Sequence, residues 1–254
     1  VPTRHFPSTA CPVTIASLCS AFQALTPLLF STIPMPLSPT NKRLCLSAAT
    51  MLAVIVIDQI IKVYVKTHFL LHESVDVTPW FKLVFIENRG MAFGMDFIGT
   101  AVLTVFRIAA IIFFCYILRK AAKGLKPFGL ILCIALIIAG AAGNIIDNCL
   151  YGLIFTESLP YVPGIPFDPA AFTAFGEGYG SFLTGRVVDM FYFPLFTWPD
   201  WLPLVGGDVF FGAIFNFADA AISCGAIAIL LFYNKHLLKE AQPSPTPEQS
   251  EQCD

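Results

Sequence analysis

Residues 127–147 read PFGLILCIALIIAGAAGNIID: an apolar run with no charge until it closes on a single aspartate. A membrane-crossing helix needs ~20 largely apolar residues, and this stretch supplies them. Its neighbours follow the same rule. Residues 44–64 carry only Asp58 and Lys62 near their end, 97–118 are broken only by Arg107, and 209–233 contain one charge, Asp219. Composition agrees, because the 254-residue chain is 56% hydrophobic and 13% charged. An ordinary soluble domain carries about a quarter charged residues, so much of this surface faces something other than water. The expected fold is an all-α membrane protein of four transmembrane helices, with a small exterior β-rich subdomain between helices 1 and 2. That subdomain is read from the run 80–86, which is rich in β-formers and followed by a glycine-containing turn.

Basic residues orient the spans. Arg119, Lys120, Lys123 and Lys126 fill the short loop between spans two and three. Lys42 and Arg43 precede span one, and Lys235 and Lys239 follow span four. Residues 148–208, by contrast, hold Arg186 alone among six acids. The positive-inside rule puts both termini and loop 119–126 in the cytoplasm, with 65–96 and 148–208 outside. Segment 149–186, rich in Pro, Gly and aromatics, reads as a loop against the bilayer interface or as a substrate lid. Residues 1–34 contain five prolines and no clean apolar span. The working protein is expected to start near Met35, with 1–34 dispensable or mis-called and 35–240 forming the membrane domain. A signal peptide is the rival reading of 13–31. The tail 241–254 is polar, proline-rich and expected to be disordered.

Ionisable groups inside spans are costly and mark functional sites by default. Asp58 stands 15 residues from Arg43, and Asp219 15 residues before Asn234. At 1.5 Å per residue each lies ~22 Å above the inner edge of the membrane core. Asp147, 21 residues after Lys126, reaches ~31 Å. Asp189 sits in the apolar exterior run Val187-Val188-Asp189-Met190-Phe191. Four carboxylates thus converge on the outer third of the membrane. Asn144 with Asp147, and Asn216 with Asp219, are spaced i, i+3 and share helix faces. The small residues 139–143 let another helix approach closely. A net charge of −2 disfavours nucleic acid as a partner. Eight scattered cysteines without a CxxC pair, and four histidines, give neither a metal site nor a disulfide framework. No cofactor is expected.

Five motifs fall in a recognisable order: Asp58-Gln59-Ile60-Ile61-Lys62, Asn88-Arg89-Gly90-Met91-Ala92-Phe93-Gly94, Gly143-Asn144-Ile145-Ile146-Asp147, Val187-Val188-Asp189 and Phe215-Asn216-Phe217-Ala218-Asp219. In these the chain, over residues 44–238, resembles the lipoprotein signal peptidase (signal peptidase II) family of bacterial inner-membrane aspartic proteases. The resemblance implies a catalytic pair, Asp189 and Asp219. It implies supporting or substrate-binding roles for Asp58, Lys62, Asn88, Gly90, Asn144, Asp147, Asn216 and Ala218. It further implies a membrane-embedded endopeptidase that cuts diacylglyceryl-modified prolipoproteins just before the lipidated cysteine, with the site toward the periplasmic face. The expected partners are those substrates and membrane lipids, with the chain acting as a monomer. Two features depart from the family pattern. Asn148 stands where an arginine usually follows the GNxxD aspartate, so that arginine's contacts are served by Arg186 or Arg107, or not at all. Asp147 and Asp189 are 42 positions apart, farther than is usual, and the interval from Asp189 to Asp219 is also lengthened. An ion-coupled small transporter using the same acids is the alternative, although four dissimilar spans show no internal repeat.

Overall fold

The computed structural model describes residues 3–4, 38–88 and 100–234. Helix α1 spans Pro39–His68, longer at both ends than the apolar run 44–64. Its start is set by Ser38, whose side chain accepts from the Asn41 N–H, and by Pro39 in the first turn. Proline suits that position because its missing N–H has no partner there anyway. Lys66 occupies the last turn, where a cation meets the negative helix end. The buried residues Ser47, Val54, Asp58, Lys62, Val65 and Lys66 recur every few positions, so one face points inward. That face carries the polar groups, and Leu52, Val56 and Ile60 point outward, exposed. This polarity is inverted relative to a soluble helix and suits lipid surroundings.

Helix α2 covers Thr100–Lys123; the first residues of the expected span, 97–99, lie outside the described residues. Helix α3, Phe128–Ile146, runs on through a π-helical turn, Asp147–Tyr151, and the short helix α4, Gly152–Ile154. The first part of segment 149–186 is therefore helical rather than loop. Two helical runs, Pro39–His68 and Phe128–Ile154, are long and apolar enough to cross a membrane. Strands β1 (Thr3–Arg4), β2 (Ser74–Thr78), β3 (Phe81–Asn88) and β4 (Val187–Tyr192) precede the short strands β5 (Phe196–Thr197), β6 (Val209–Phe210) and β7 (Ile214–Phe215). Helix α5, Phe217–Ala228, ends in a second π turn, Ile229–Tyr233.

Here the structure corrects the expected fourth span. The apolar run begins at 209, but 209–215 is spent on β6, a turn and β7, and the helix starts only at Phe217. Asn216 decides the point: its backbone is extended and its side chain accepts from the Asp219 N–H, an N-cap that stops helix propagating backwards. Apolar composition cannot distinguish a short buried strand from a helix.

The sheet also differs from expectation. It has five strands in the order β1-β2-β3-β4-β7, with β2–β3, β3–β4 and β4–β7 antiparallel. Only β2 and β3 lie between the first two helices; β4 and β7 come from the far side of α3. Ile86 pairs with Asp189 and Asn88 with Val187, which seats the aspartate in mid-sheet. Such pairings join residues about a hundred positions apart and leave no local signature.

Helix α3 is the central element, packed against α1, α2 and α5. Its glycines set how close these come. A Cβ at Gly140 would strike the Ala218 carbonyl oxygen, and one at Gly143 would lie 2.7 Å from Asp58 Oδ2. A core of Leu118, Ala122, Leu130, Ile131 and Ile134 holds the α2–α3 end. A second core, Val65, Phe69, Phe85, Tyr151, Phe155, Val188 and Met190, joins α1, the sheet and the start of segment 149–186. The acids lie between the two. Expectations for 1–34, 89–94 and 241–254 fall outside the described residues, apart from the pairing of Thr3–Arg4 with β2.

Candidate active site

Asp189 projects from β4, Asp219 from the first turn of α5, Asn216 from its cap and Asn144 from the end of α3. Their side chains form one network. Asn216 Nδ2 donates to Asp189 Oδ1 at 2.6 Å and to Asn144 Oδ1 at 3.2 Å. Asn144 Nδ2 donates to Asp219 Oδ1 at 2.9 Å. Each carboxylate is thus held by an asparagine amide, and the two asparagines are joined to each other. The Asn88 side chain, at the end of β3, also bonds Asp189. Burial, and next the charge of Asp219, push the Asp189 carboxyl up to about 7. A neighbouring negative charge and burial both disfavour the ionised form of a carboxyl, so Asp189 keeps its proton to higher pH than an exposed aspartate does.

Lys62 anchors the floor of the network. Its Nζ lies 2.9 Å from Asp58 Oδ2 and 2.7 Å from Asp147 Oδ2, and donates to Asn144 Oδ1 at 2.8 Å. All of these side chains are buried. Asp58 Oδ1 accepts from the Ala218 N–H at 2.9 Å, fixing the start of α5 against α1. Of the residues singled out in the sequence, the structure brings together Asp189, Asp219, Asp58, Lys62, Asn88, Asn144, Asp147, Asn216 and Ala218. Gly90 lies outside the described residues. Among the described residues no group of His, Cys, Asp and Glu is arranged to hold a metal ion.

Sequence reasoning missed other members. Gln59 Nε2 donates to Asp147 Oδ1 at 2.8 Å, while Tyr151 Oη donates to Gln59 Oε1 at 3.1 Å. Tyr151 lies one helical turn beyond Asp147, a spacing that could have marked it. A second buried cluster stands beside the first. Lys66 pairs with Glu87 and donates to Ser158 Oγ at 2.9 Å, and Ser158 Oγ donates to Glu87 Oε1 at 2.7 Å. Arg186 Nη1 bonds Glu87 Oε2 at 2.9 Å and Glu157 Oε1 at 2.6 Å. Burial opposes ionisation of Glu87, but the Lys66 charge and these bonds outweigh it and hold the carboxyl below its ordinary range. This cluster clamps both ends of segment 149–186 onto β3, next to Asn88. Only its scattered charges were visible in the sequence.

The position of Asn148 is also settled. Its Oδ1 accepts from Arg107 Nη1 at 2.7 Å and its Nδ2 donates to the Gly185 carbonyl at 2.8 Å. Arg107, from α2, thus contacts the side chain at position 148, while Arg186 is engaged with Glu87 and Glu157.

A bundle of apolar helices capped by a sheet, with buried acids between them, is the build of a membrane enzyme. A solved bacterial membrane enzyme, determined by the in meso method, matches it with a TM-score of 0.50 and 25% identity, covering 76% of this chain and 93% of that one. Residues 50–235 match the model of the signal peptidase II family, and the chain belongs to that family. The lipoprotein signal peptidase of Porphyromonas gingivalis is 42% identical over 80% of this chain and 92% of its own length. That of Amoebophilus asiaticus is 35% identical over 71% of this chain and 74% of its own.

Proposed function

We propose that this peptidase removes signal peptides from prolipoproteins by aspartic catalysis, with Asp189 and Asp219 as the reacting pair. The observation that carries this reading is the Asn216–Asn144 bridge, which ties the two carboxylates into one unit. One carboxylate, ionised, takes a proton from water. The other, protonated, donates to the scissile carbonyl and its tetrahedral oxyanion. Which aspartate starts with the proton is a property of the coupled pair. Asn144, Asn216 and Asn88 hold the acids without adding charge. Asp58, Lys62 and Asp147 brace the helices around them, and Ala218 keeps the α5 start close to α1.

The substrate is a prolipoprotein whose cysteine carries a diacylglyceryl group, and the bond cut lies just before that cysteine. Four spans, with α2 and α5 joining the two longer helices, support a site near the outer face of the bacterial inner membrane. Both termini then lie in the cytoplasm. One chain supplies every residue of the network, so a monomer surrounded by lipid suffices.

Purified protein in lipid should cleave a diacylated prolipoprotein, and Asp189→Asn and Asp219→Asn should each abolish cleavage while insertion persists. The double variant should be scarcely worse than either single one, because both acids act on one step. Substantial activity in Asp189→Asn, or loss of wild-type cleavage on adding a chelator, would sink the two-aspartate mechanism.

A further inference from the structure

The chain between the two acids makes an excursion that the site does not use. After Tyr192 it leaves the five-stranded sheet, forms the two-stranded ribbon β5–β6 with a turn at its tip, and rejoins the sheet at β7 (Ile214–Phe215). The excursion is aromatic throughout. Trp80, Phe81, Phe193 and Phe215 stack along its base, with ring centroids 4.7 Å apart for Phe81–Phe193 and 5.7 Å for Phe193–Phe215. Farther out, Phe196 stacks on Phe210 at 4.6 Å, and Trp198 meets both edge-on. At the tip Trp201 is 79% exposed and Leu204 fully exposed. Large exposed apolar patches on a folded chain mark contact surfaces.

Three further observations choose the partner. First, the ribbon satisfies much of its own backbone. Trp198 N–H donates to the Asp208 carbonyl, Gly207 to Trp198, Gly206 to Leu202, and Asp208 to Val205. Backbone entering an apolar phase must be paired in this way, since unpaired groups cost several kcal/mol there. Second, no Lys, Arg or His occurs between Val187 and Tyr233, while Asp200 and Asp208 flank the tip. That charge suits neutral or zwitterionic headgroups rather than anionic ones. Third, the excursion is continuous with α5, whose outward residue Ile227, with Leu230, Leu231 and Phe232 of the π turn beyond it, is an exposed apolar group. Indole rings settle at the headgroup boundary of a bilayer, and phenyl and leucyl side chains on an interfacial segment bury into the adjoining acyl region.

We propose that residues 193–215 form an interfacial anchor, seating the Trp201–Leu204 tip among the headgroups and upper acyl chains of the outer leaflet. Both ends of the anchor are tied to the acids, β4 carrying Asp189 and α5 carrying Asp219. Lipid contact therefore bears on the two elements that must meet across the site. The inference rests on the outer-face topology proposed above, but not on which bond is cut.

The chain has three tryptophans, so a Trp80→Phe/Trp198→Phe variant of the full-length protein leaves Trp201 as the sole indole reporter. In phosphatidylcholine nanodiscs, replacing the lipid by its brominated form should remove most of the Trp201 emission, while aqueous iodide should remove little. Quenching by iodide and not by brominated lipid would place the tip in water and overturn the proposal. Quenching by neither would place it against protein, such as a second copy of the chain, and would overturn it equally. Should the double variant fail to insert, the emission lost between wild type and Trp201→Phe under the same two quenchers reads the same quantity. Activity is not the readout, so failure of the peptidase reading and failure of the anchor remain distinguishable.

Discussion

At Asp189 the proposed function and stability oppose each other. Its carboxyl is buried and faces the charge of Asp219, which together push it up to about 7 from an ordinary value of 3.8. A folded-state pKa raised above the unfolded one gives stability that is present at low pH and lost as pH rises through the folded value. The loss should therefore fall between about pH 4 and pH 7 and be nearly complete by pH 8. Asp189→Asn removes the ionisation, so at pH 8 the variant should melt above wild type, the gain being roughly 2–4 kcal/mol in stability. The gap should close at low pH. If the melting temperature of the Asp189→Asn variant instead follows wild type at both pH values, this assignment is contradicted. If Asp189 supplies the proton, cleavage by wild type should decline above about pH 7, as its carboxyl ionises.

Glu87 offers a contrast at the same scale. It is wholly engaged, with Lys66, Ser158 and Arg186 around it. Removing one member of a buried charged set leaves the others uncompensated and costs ~3–5 kcal/mol. Glu87→Gln should therefore lower thermal stability strongly, whereas Lys66→Met with Glu87→Leu should recover much of it. Equal destabilisation by the single and double replacements would show that the charges themselves are not the issue.

At the scale of elements, the contact of α3 with α5 sets the site. Gly140 and Gly143 face Ala218 and Asp58 with no room for another carbon. Gly140→Val should force α5 away from α3, stretching the Asn144–Asp219 bond, and should cost roughly 1–3 kcal/mol by overpacking. Cleavage should fall further than that stability loss alone implies. Measuring both in one preparation checks this, and undiminished cleavage would mean that α5 does not need this close approach. Asn216 shows the same economy of design. One side chain caps α5 through its oxygen and holds Asp189 through its nitrogen, so helix start and site geometry are set together.

For the whole molecule, the testable quantity is orientation. With 148–208 outside, Cys149, which is partly exposed, should react with a membrane-impermeant thiol reagent added to spheroplasts. A cysteine replacing Lys123 should not react until the membrane is opened. Labelling in the reverse order would invert the topology and move the acids to the inner face.

The sequence by itself determined the membrane class and the identity of the acids. Charge inside an apolar run is so costly that each occurrence stands out as a candidate site, and counting residues along a helix gives its expected depth. Asp58, Asp147 and Asp219 were legible for that reason, Asn144 and Asn216 by their i, i+3 spacing to two of them, and the structure brings all five together. Only the tertiary structure decided which partners they take. The seating of Asp189 opposite Ile86, the entry of β4 and β7 into the sheet, and the Lys66–Glu87–Arg186 cluster all join residues far apart in the chain. Their pairing energies depend on distance in space, which local composition does not encode. The shortened fourth helix has the same origin. Hydrophobicity marks 209–233 as apolar throughout, but the choice between strand and helix was made by the Asn216 cap and by the edge of β4 waiting to be paired.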